Sequence, residues 1–195
     1  SIRAMEAMMA SRLEEILTAA NLIASTFEQG GKLLICGNGG SAADCQHMAA
    51  ELVSRLTIDF ERPALPALAL TTDTSFLTAF SNDCGYEGVF ERQVQAFGRP
   101  GDALLGISTS GNSKNVLRAM AAAKESGMRV VSLTGTKGAM SKEADASICV
   151  PSDNQQAIQE CHLAVEHILC DLIERRLFSK PSAPSSDEKR KEVVS

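Results

Sequence analysis

The sequence predicts a doubly wound α/β sandwich, a parallel five-stranded sheet with helices on both faces and a long helix at its N-terminus. Three observations carry this. Short apolar runs such as "LLIC", "DALLGIS" and "RVVSLTG" alternate with longer segments of helical period. The runs are continuously apolar, as in parallel strands covered by helices on both sides. Glycine- or hydroxyl-rich turns, "GNGGS" and "STSGNS", stand where strands hand over to helices. A right-handed crossover in each strand–helix–strand unit then gives the doubly wound arrangement.

Taken in order, residues 4–29 read as one helix. Met5, Met9, Leu13, Ile16, Ala20, Ile23 and Phe27 recur at three- and four-residue steps and form its apolar face. Gly30 and Gly31 stop it. "LLIC" (33–36) is the first strand, and "GNGGS" leads into a helix over 41–56. "PALPALAL" (63–70) gives a second strand with proline confined to its start. Residues 73–98 are mostly helical, interrupted by "NDCGYEG". "DALLGIS" (102–108) is the third strand, followed by helix 113–126, which Gly127 closes. "RVVSLTG" (129–135) is the fourth strand. A short helix over 138–144, a fifth strand at 146–151 and a final helix over 155–178 complete the pattern. Residues 179–195 are rich in Ser, Pro and charge and read as a disordered tail.

The chain of 195 residues suffices for one domain with a sizeable core. Hydrophobic content of 44% and a net charge of −5 suit a soluble protein and argue against nucleic acid as its main partner. The absence of Trp and the single Tyr offer no base-stacking surface. No apolar run approaches the roughly 20 residues that cross a bilayer, and no export signal stands at the N-terminus, so the expected location is cytoplasmic. Six cysteines without a C-x-x-C pair then read as free thiols, Cys36 and Cys149 filling the core and Cys84 in a loop.

Ligands of open α/β sheets bind beyond the carboxyl ends of the strands. There "STSGNS" offers the hydroxyls of Ser108, Thr109, Ser110 and Ser113, with Gly111 allowing close backbone approach. The helix N-terminus that follows favours an anion. Without a G-K-[ST] ending this is not a nucleotide loop, and hydroxyls without lysine suit one phosphate on a small molecule. The competing interpretation, that Asn112 or Ser113 merely caps the helix, accounts for one hydroxyl and not four.

On helix 41–56, Asp44, His47, Glu51 and Arg55 make one polar stripe. His47 and Glu51, at i and i+4, can reach one metal ion together, though a wet surface face explains the stripe as well. On the last helix, Gln159 and His167 share a face but stand about 12 Å apart along the axis. Spacing alone does not bring them to one ion. His162 and Glu166 lie on a neighbouring stripe, where a structural, hydrogen-bonded role is expected.

Together "CGNGGSAADCQHMAAE", "TTDTS" with "SND", "GDALLGISTSGNS" and "IQECHLAVEHILCDLIE" resemble the sedoheptulose 7-phosphate isomerase (phosphoheptose isomerase) family of the sugar isomerase, or SIS, fold. The resemblance spans residues 1–178 and implies a single SIS domain there. It implies isomerisation of sedoheptulose 7-phosphate to D-glycero-D-manno-heptopyranose 7-phosphate, toward the heptose of bacterial surface glycans. It further implies a homotetramer with sites between subunits, and bound zinc. By matching motifs, His47, Glu51, Gln159 and His167 would hold zinc. Asn38, Gly39, Gly40, Glu51, Asn82, Asp83 and Gln159 would hold the sugar. Ser108, Thr109, Ser110 and Ser113 would hold the phosphate. Glu51 and His167 would be the acid–base pair, with Asp44 and Arg55 behind them. At Gln155, Gln156 and Ala157 the chain departs from the Thr and basic residue common in the family. Other SIS proteins are sugar-phosphate sensors, bind a replication initiator or isomerise other phosphosugars. The sensors and binders lack the residues matching Glu51 and His167, and this chain keeps both.

Overall fold

The computed structural model describes residues 1–58, 60–136 and 138–178. The tail expected over 179–195 lies outside the described residues. Five parallel strands stand in the order β2-β1-β3-β4-β5. They are β1 (Leu33–Gly37), β2 (Ala67–Ala69), β3 (Ala103–Ser108), β4 (Arg129–Gly135) and β5 (Ala146–Val150). Register is set by pairs such as Leu33 with Ala103 and Leu104 with Val130.

Alternate residues of each strand serve opposite layers. Leu33, Ile35, Leu105, Ile107, Val131 and Leu133 share a core with α1 (Ile2–Ser11), α2 (Leu13–Glu28), α3 (Gly40–Val53) and α8 (Gln155–Phe178). Leu34, Cys36, Leu104 and Val130 pack with α5 (Val89–Phe97), α6 (Lys114–Glu125) and α7 (Met140–Glu143). Between them in sequence, α4 (Thr74–Cys84) and a 3₁₀ turn (Tyr86–Gly88) precede α5. The chain leaves β1 for β2 on one side and returns to β3 on the other. The crevice of this sheet therefore opens between the ends of β1 and β3, where "GNGGS" and "STSGNS" begin. Among the described residues no helix is long and apolar enough to cross a membrane.

Several expected boundaries are corrected. The helix over 4–29 is two helices, broken at Arg12, whose φ of −128° leaves the helical range. No Gly or Pro announces this break. It turns Ala4 and Met8 into the core and leaves Met5, Met9 and Leu13 exposed, against the expected face. Asn82 to Cys84 continue α4, and the interruption falls at Gly85, whose φ of +87° suits glycine. β2 keeps only three residues of 63–70. Helix 41–56 ends at Val53, so Arg55 lies beyond it and off the polar stripe.

Candidate active site

The serine loop assembles as a hydroxyl cluster. Ser108 Oγ lies 3.3 Å from Ser110 Oγ and 2.9 Å from Ser113 Oγ. Gly111, at φ +64°, turns the chain back to bring these residues together. Ser113 occupies the N-cap position of α6, yet its side chain makes no capping bond. Asn112 Oδ1 accepts the Ala139 N–H at 3.0 Å instead. The capping interpretation therefore fails for both residues, and the hydroxyls gather where α6 begins, at an end whose first N–H groups lack intrahelical partners. Thr109 contributes a carbonyl to Gly135 N–H at 3.3 Å. A cleft of about 320 Å³ opens here, lined by Thr109, Ser110, Asn112 and Gln155 among others. A larger cleft of about 550 Å³ lies away from these residues, with Leu68, Phe76 and Phe97 in its wall. Thr72, Asp73, Arg92 and Gln95 also line it, but none of the candidate site residues does.

The second half of the site is the seam where α3 and α8 run side by side in the same direction. At its start, Gln159 Nε2 donates to Asp44 Oδ2, and Ser41 Oγ donates to Gln159 Oε1 at 3.4 Å. Gly40 permits this approach, since a Cβ there would stand 3.1 Å from Gln159 Oε1. Further along, His47 Nε2 and His167 Nε2 lie 2.8 Å apart, and Glu51 Oε1 is 3.8 Å from His47 Nε2. Burial raises Asp44 to about 6, against the opposing pull of Gln159 and His47.

At the far end of the seam stands a clamp that sequence reasoning missed. The buried Arg62 guanidinium donates to the Glu51 and Leu52 carbonyls at 2.8 Å each, and to Glu174 Oε1 on α8 at 2.7 Å. Leu56 N–H donates to the same carboxylate oxygen at 3.1 Å. Arg62 thus satisfies carbonyls that α3 leaves open at its C-terminus. The only signal was a lone arginine before Pro63. Arg55, expected near the site, is exposed beyond the helix, and Glu51 faces His47 rather than forming a surface pair with it.

Asn38 joins the two loops. It exchanges amide hydrogen bonds with Asn115 at 2.9 Å in each direction and lies 2.9 Å from the Tyr86 hydroxyl. Gly39, at φ +58°, makes the turn into α3. Asn82 and Asp83 stay outside this gathering: they are exposed on the last turn of α4 and bond to each other at 2.8 Å. His162 and Glu166 are fully buried. Among the described residues no hydrogen bond of regular geometry reaches either side chain, which corrects the expected hydrogen-bonded role for Glu166, whereas the Thr134 backbone still interacts with His162. Burial keeps both neutral, pushing His162 down to about 4 and Glu166 up to about 9, with Asp44 adding to the latter.

The donors suit zinc in kind: two imidazole nitrogens facing each other, with a carboxylate beside them. Their spacing is that of a direct hydrogen bond, since ligands of a tetrahedral zinc stand about 3.3 Å apart. Gln159 is committed to Asp44 and Ser41. Among the described residues, no three His, Cys, Asp or Glu side chains form a metal-holding group.

The SIS domain family model matches residues 1–135. A phosphoheptose isomerase of Roseiflexus sp. (strain RS-1) is 56% identical over 166 residues, 85% of this chain and 83% of that protein. One from Helicobacter pylori (strain Shi470) is 52% identical over 178 residues, 91% of this chain and 92% of that protein. The phosphoheptose isomerase structure from Neisseria gonorrhoeae superposes with a TM-score of 0.83 at 45% identity, covering 89% of this chain and 92% of that one. The one from Francisella tularensis gives 0.85 at 40% identity, covering 90% and 93%.

Proposed function

The chain belongs to the phosphoheptose isomerase family of SIS-domain proteins, and from that premise we propose that it interconverts sedoheptulose 7-phosphate and D-glycero-D-manno-heptopyranose 7-phosphate. The observation that carries the reading is the meeting of His47, Glu51 and His167 in one seam that opens at the glycine loop. Moving the carbonyl from C2 to C1 needs a proton taken from C1 and returned to C2, while the O1 proton is lost and O2 gains one. Glu51 acts as the base at carbon, and His167 passes the proton between the two oxygens. Ser108, Ser110 and Ser113 hold the phosphate with the α6 N-terminus, and the amide of Asn38 meets the sugar.

Zinc, where bound, would be held by His47, Glu51 and His167, with Gln159 turned from Asp44, and would supply Lewis-acid polarisation of the carbonyl. The site is shared in a homotetramer. Two features support this: the exposed apolar residues Ile2, Met5 and Met9 of α1 and Leu13 and Leu17 of α2, and the position of Asn82 and Asp83 outside the gathering made by their own chain. The expected compartment is the cytoplasm. Purified protein incubated with sedoheptulose 7-phosphate should form the aldose; no turnover with or without added zinc removes the isomerase reading in favour of a sugar-phosphate sensor.

A further inference from the structure

The amide pair that joins the two loops has a direction, and the direction decides what Asn38 can offer a ligand. Asn38 Nδ2 donates to Asn115 Oδ1, and Asn115 Nδ2 donates to Asn38 Oδ1. Such a pair reads the same when both amides are turned over, so by itself it assigns nothing. Here the buried Val116 N–H donates to Asn115 Oδ1 at 3.0 Å. Only an acceptor satisfies that N–H, so the oxygen of Asn115 is identified. The Asn38 atom facing it must be nitrogen, and the one facing Asn115 Nδ2 must be oxygen. Tyr86, whose hydroxyl lies 2.9 Å from that oxygen, is then a donor.

The inventory of Asn38 closes. Its oxygen accepts from Asn115 and Tyr86, which uses both lone pairs, and one of its two N–H groups is spent on Asn115. One N–H remains. We propose that Asn115 and Tyr86 are positioning residues that hold Asn38 as a one-way hydrogen-bond donor toward an oxygen of the bound sugar. The ligand group this selects is an acceptor: a carbonyl, hydroxyl or enediolate oxygen. The inference rests on the reading above that Asn38 faces the sugar.

The two partners are placed for this by their own segments. Asn115 sits in the first turn of α6, 4% exposed, directly after the serine loop. Tyr86 follows the left-handed turn at Gly85 and is 53% exposed, so removing its hydroxyl opens no core void. Together they tie the glycine loop to the serine loop, so the sugar donor and the phosphate hydroxyls share one frame.

The test is a double-mutant cycle on Tyr86→Phe and Asn38→Ala, with Asn115→Asp as a second probe. Asn115→Asp keeps the acceptor for Val116 and removes the donor to Asn38. Affinity for sedoheptulose 7-phosphate and for inorganic phosphate is measured by calorimetry, and kcat/KM in parallel. Tyr86→Phe should weaken the sugar phosphate about tenfold, the scale of one hydrogen bond, and leave inorganic phosphate within twofold. In the Asn38→Ala background the same change should have no further effect, because Tyr86 acts only through Asn38. Asn115→Asp should follow the same pattern. An equal loss in both backgrounds, or unchanged sugar-phosphate affinity in Tyr86→Phe, overturns the proposal. Turnover with a flat cycle sinks this inference and leaves the isomerase; binding with a coupled cycle but no turnover does the reverse.

Discussion

The serine loop and the α3–α8 seam are two solutions to the same task of converging polar groups. In the loop, six consecutive residues and one left-handed glycine place three hydroxyls within 2.9–3.3 Å. The hydroxyls all come from that one stretch, and the segment from Gly135 to Met140 braces its backbone. In the seam, residues 120 positions apart meet at 2.8 Å because two helices pack in register. Cys45, Met48 and Leu52 of α3 share one buried core with Ile158, Val165 and Leu169 of α8, and the Arg62–Glu174 clamp closes the end. The difference assigns labour: binding rests on local geometry, and proton transfer rests on packing between distant segments. Changes in the loop should therefore move affinity, and changes in the seam should move turnover and stability.

The sharpest separation comes from the seam itself. Glu51→Gln and His167→Ala should each lower kcat by about 10²–10⁴-fold, the range for loss of one positioned acid or base. Inorganic phosphate affinity should stay at the wild-type value in both. Phosphate binding that falls in step with kcat would mean the two regions are not separable. The clamp offers the next largest effect. Arg62→Met leaves Glu174 buried without its partner, and chemical denaturation should show a loss of about 3–5 kcal/mol. Arg62→Met combined with Glu174→Met should recover most of that stability. Its kcat should remain low, because the last carbonyls of α3 next to Glu51 are then unheld. Full recovery of kcat in the double variant would make the clamp a stability device only.

The same contrast explains what could be read from the sequence. "STSGNS" was legible because its chemistry and position are both local, and the five strands because each is a short apolar run. The polar stripe on α3 was half legible: His47 and Glu51 stand where helical spacing puts them, whereas Arg55 falls beyond a helix end that no Gly or Pro marks. That end is held by Arg62, which reaches back 10 and 11 residues to the Leu52 and Glu51 carbonyls and across 112 to Glu174. Asn115 and Tyr86 were missed for a related reason, since they meet Asn38 across 77 and 48 positions. The break at Arg12 also escapes the pattern, because both helices keep a three-to-four-residue apolar period and only the core decides which face turns in.

The buried residues of α8 give the seam a pH signature that the loop lacks. Glu166 binds its proton up to about 9 when folded, against an ordinary 4.5. The folded state thus holds a proton that the unfolded chain releases, and stability falls as pH rises from about 4.5 toward 9. His162 runs the other way: with its value lowered from 6.5 to about 4, stability is lost as pH falls through that window. Glu166→Gln should remove the alkaline slope and raise stability at pH 8 by on the order of a few kcal/mol. His162→Leu should flatten the acid slope and leave the alkaline one. Denaturation midpoints followed from pH 4 to 9 would show both; a Glu166→Gln curve parallel to wild type would mean the carboxyl is not held neutral.

The smallest effect belongs to the loop. Ser110 is exposed and shares its hydroxyl with Ser108 and with the Asn112 N–H at 3.2 Å, so Ser110→Ala removes one of several donors. A hydrogen bond to a charged group is worth about 1.5–3 kcal/mol, which sets a KM increase of roughly 10- to 100-fold. Because the loop is braced independently by Asn112 on Ala139, the backbone N–H groups should keep their aim, and the loss should sit at the low end of that range. kcat and thermal stability should hold at wild-type values. Ser113→Ala makes the stricter comparison, since Ser113 is the N-cap residue of α6 but makes no capping bond. Loss of a cap would lower stability by about 1 kcal/mol, whereas loss of a phosphate donor raises KM alone. The second outcome is expected, and a drop in stability without a KM change would return Ser113 to an ordinary helix cap.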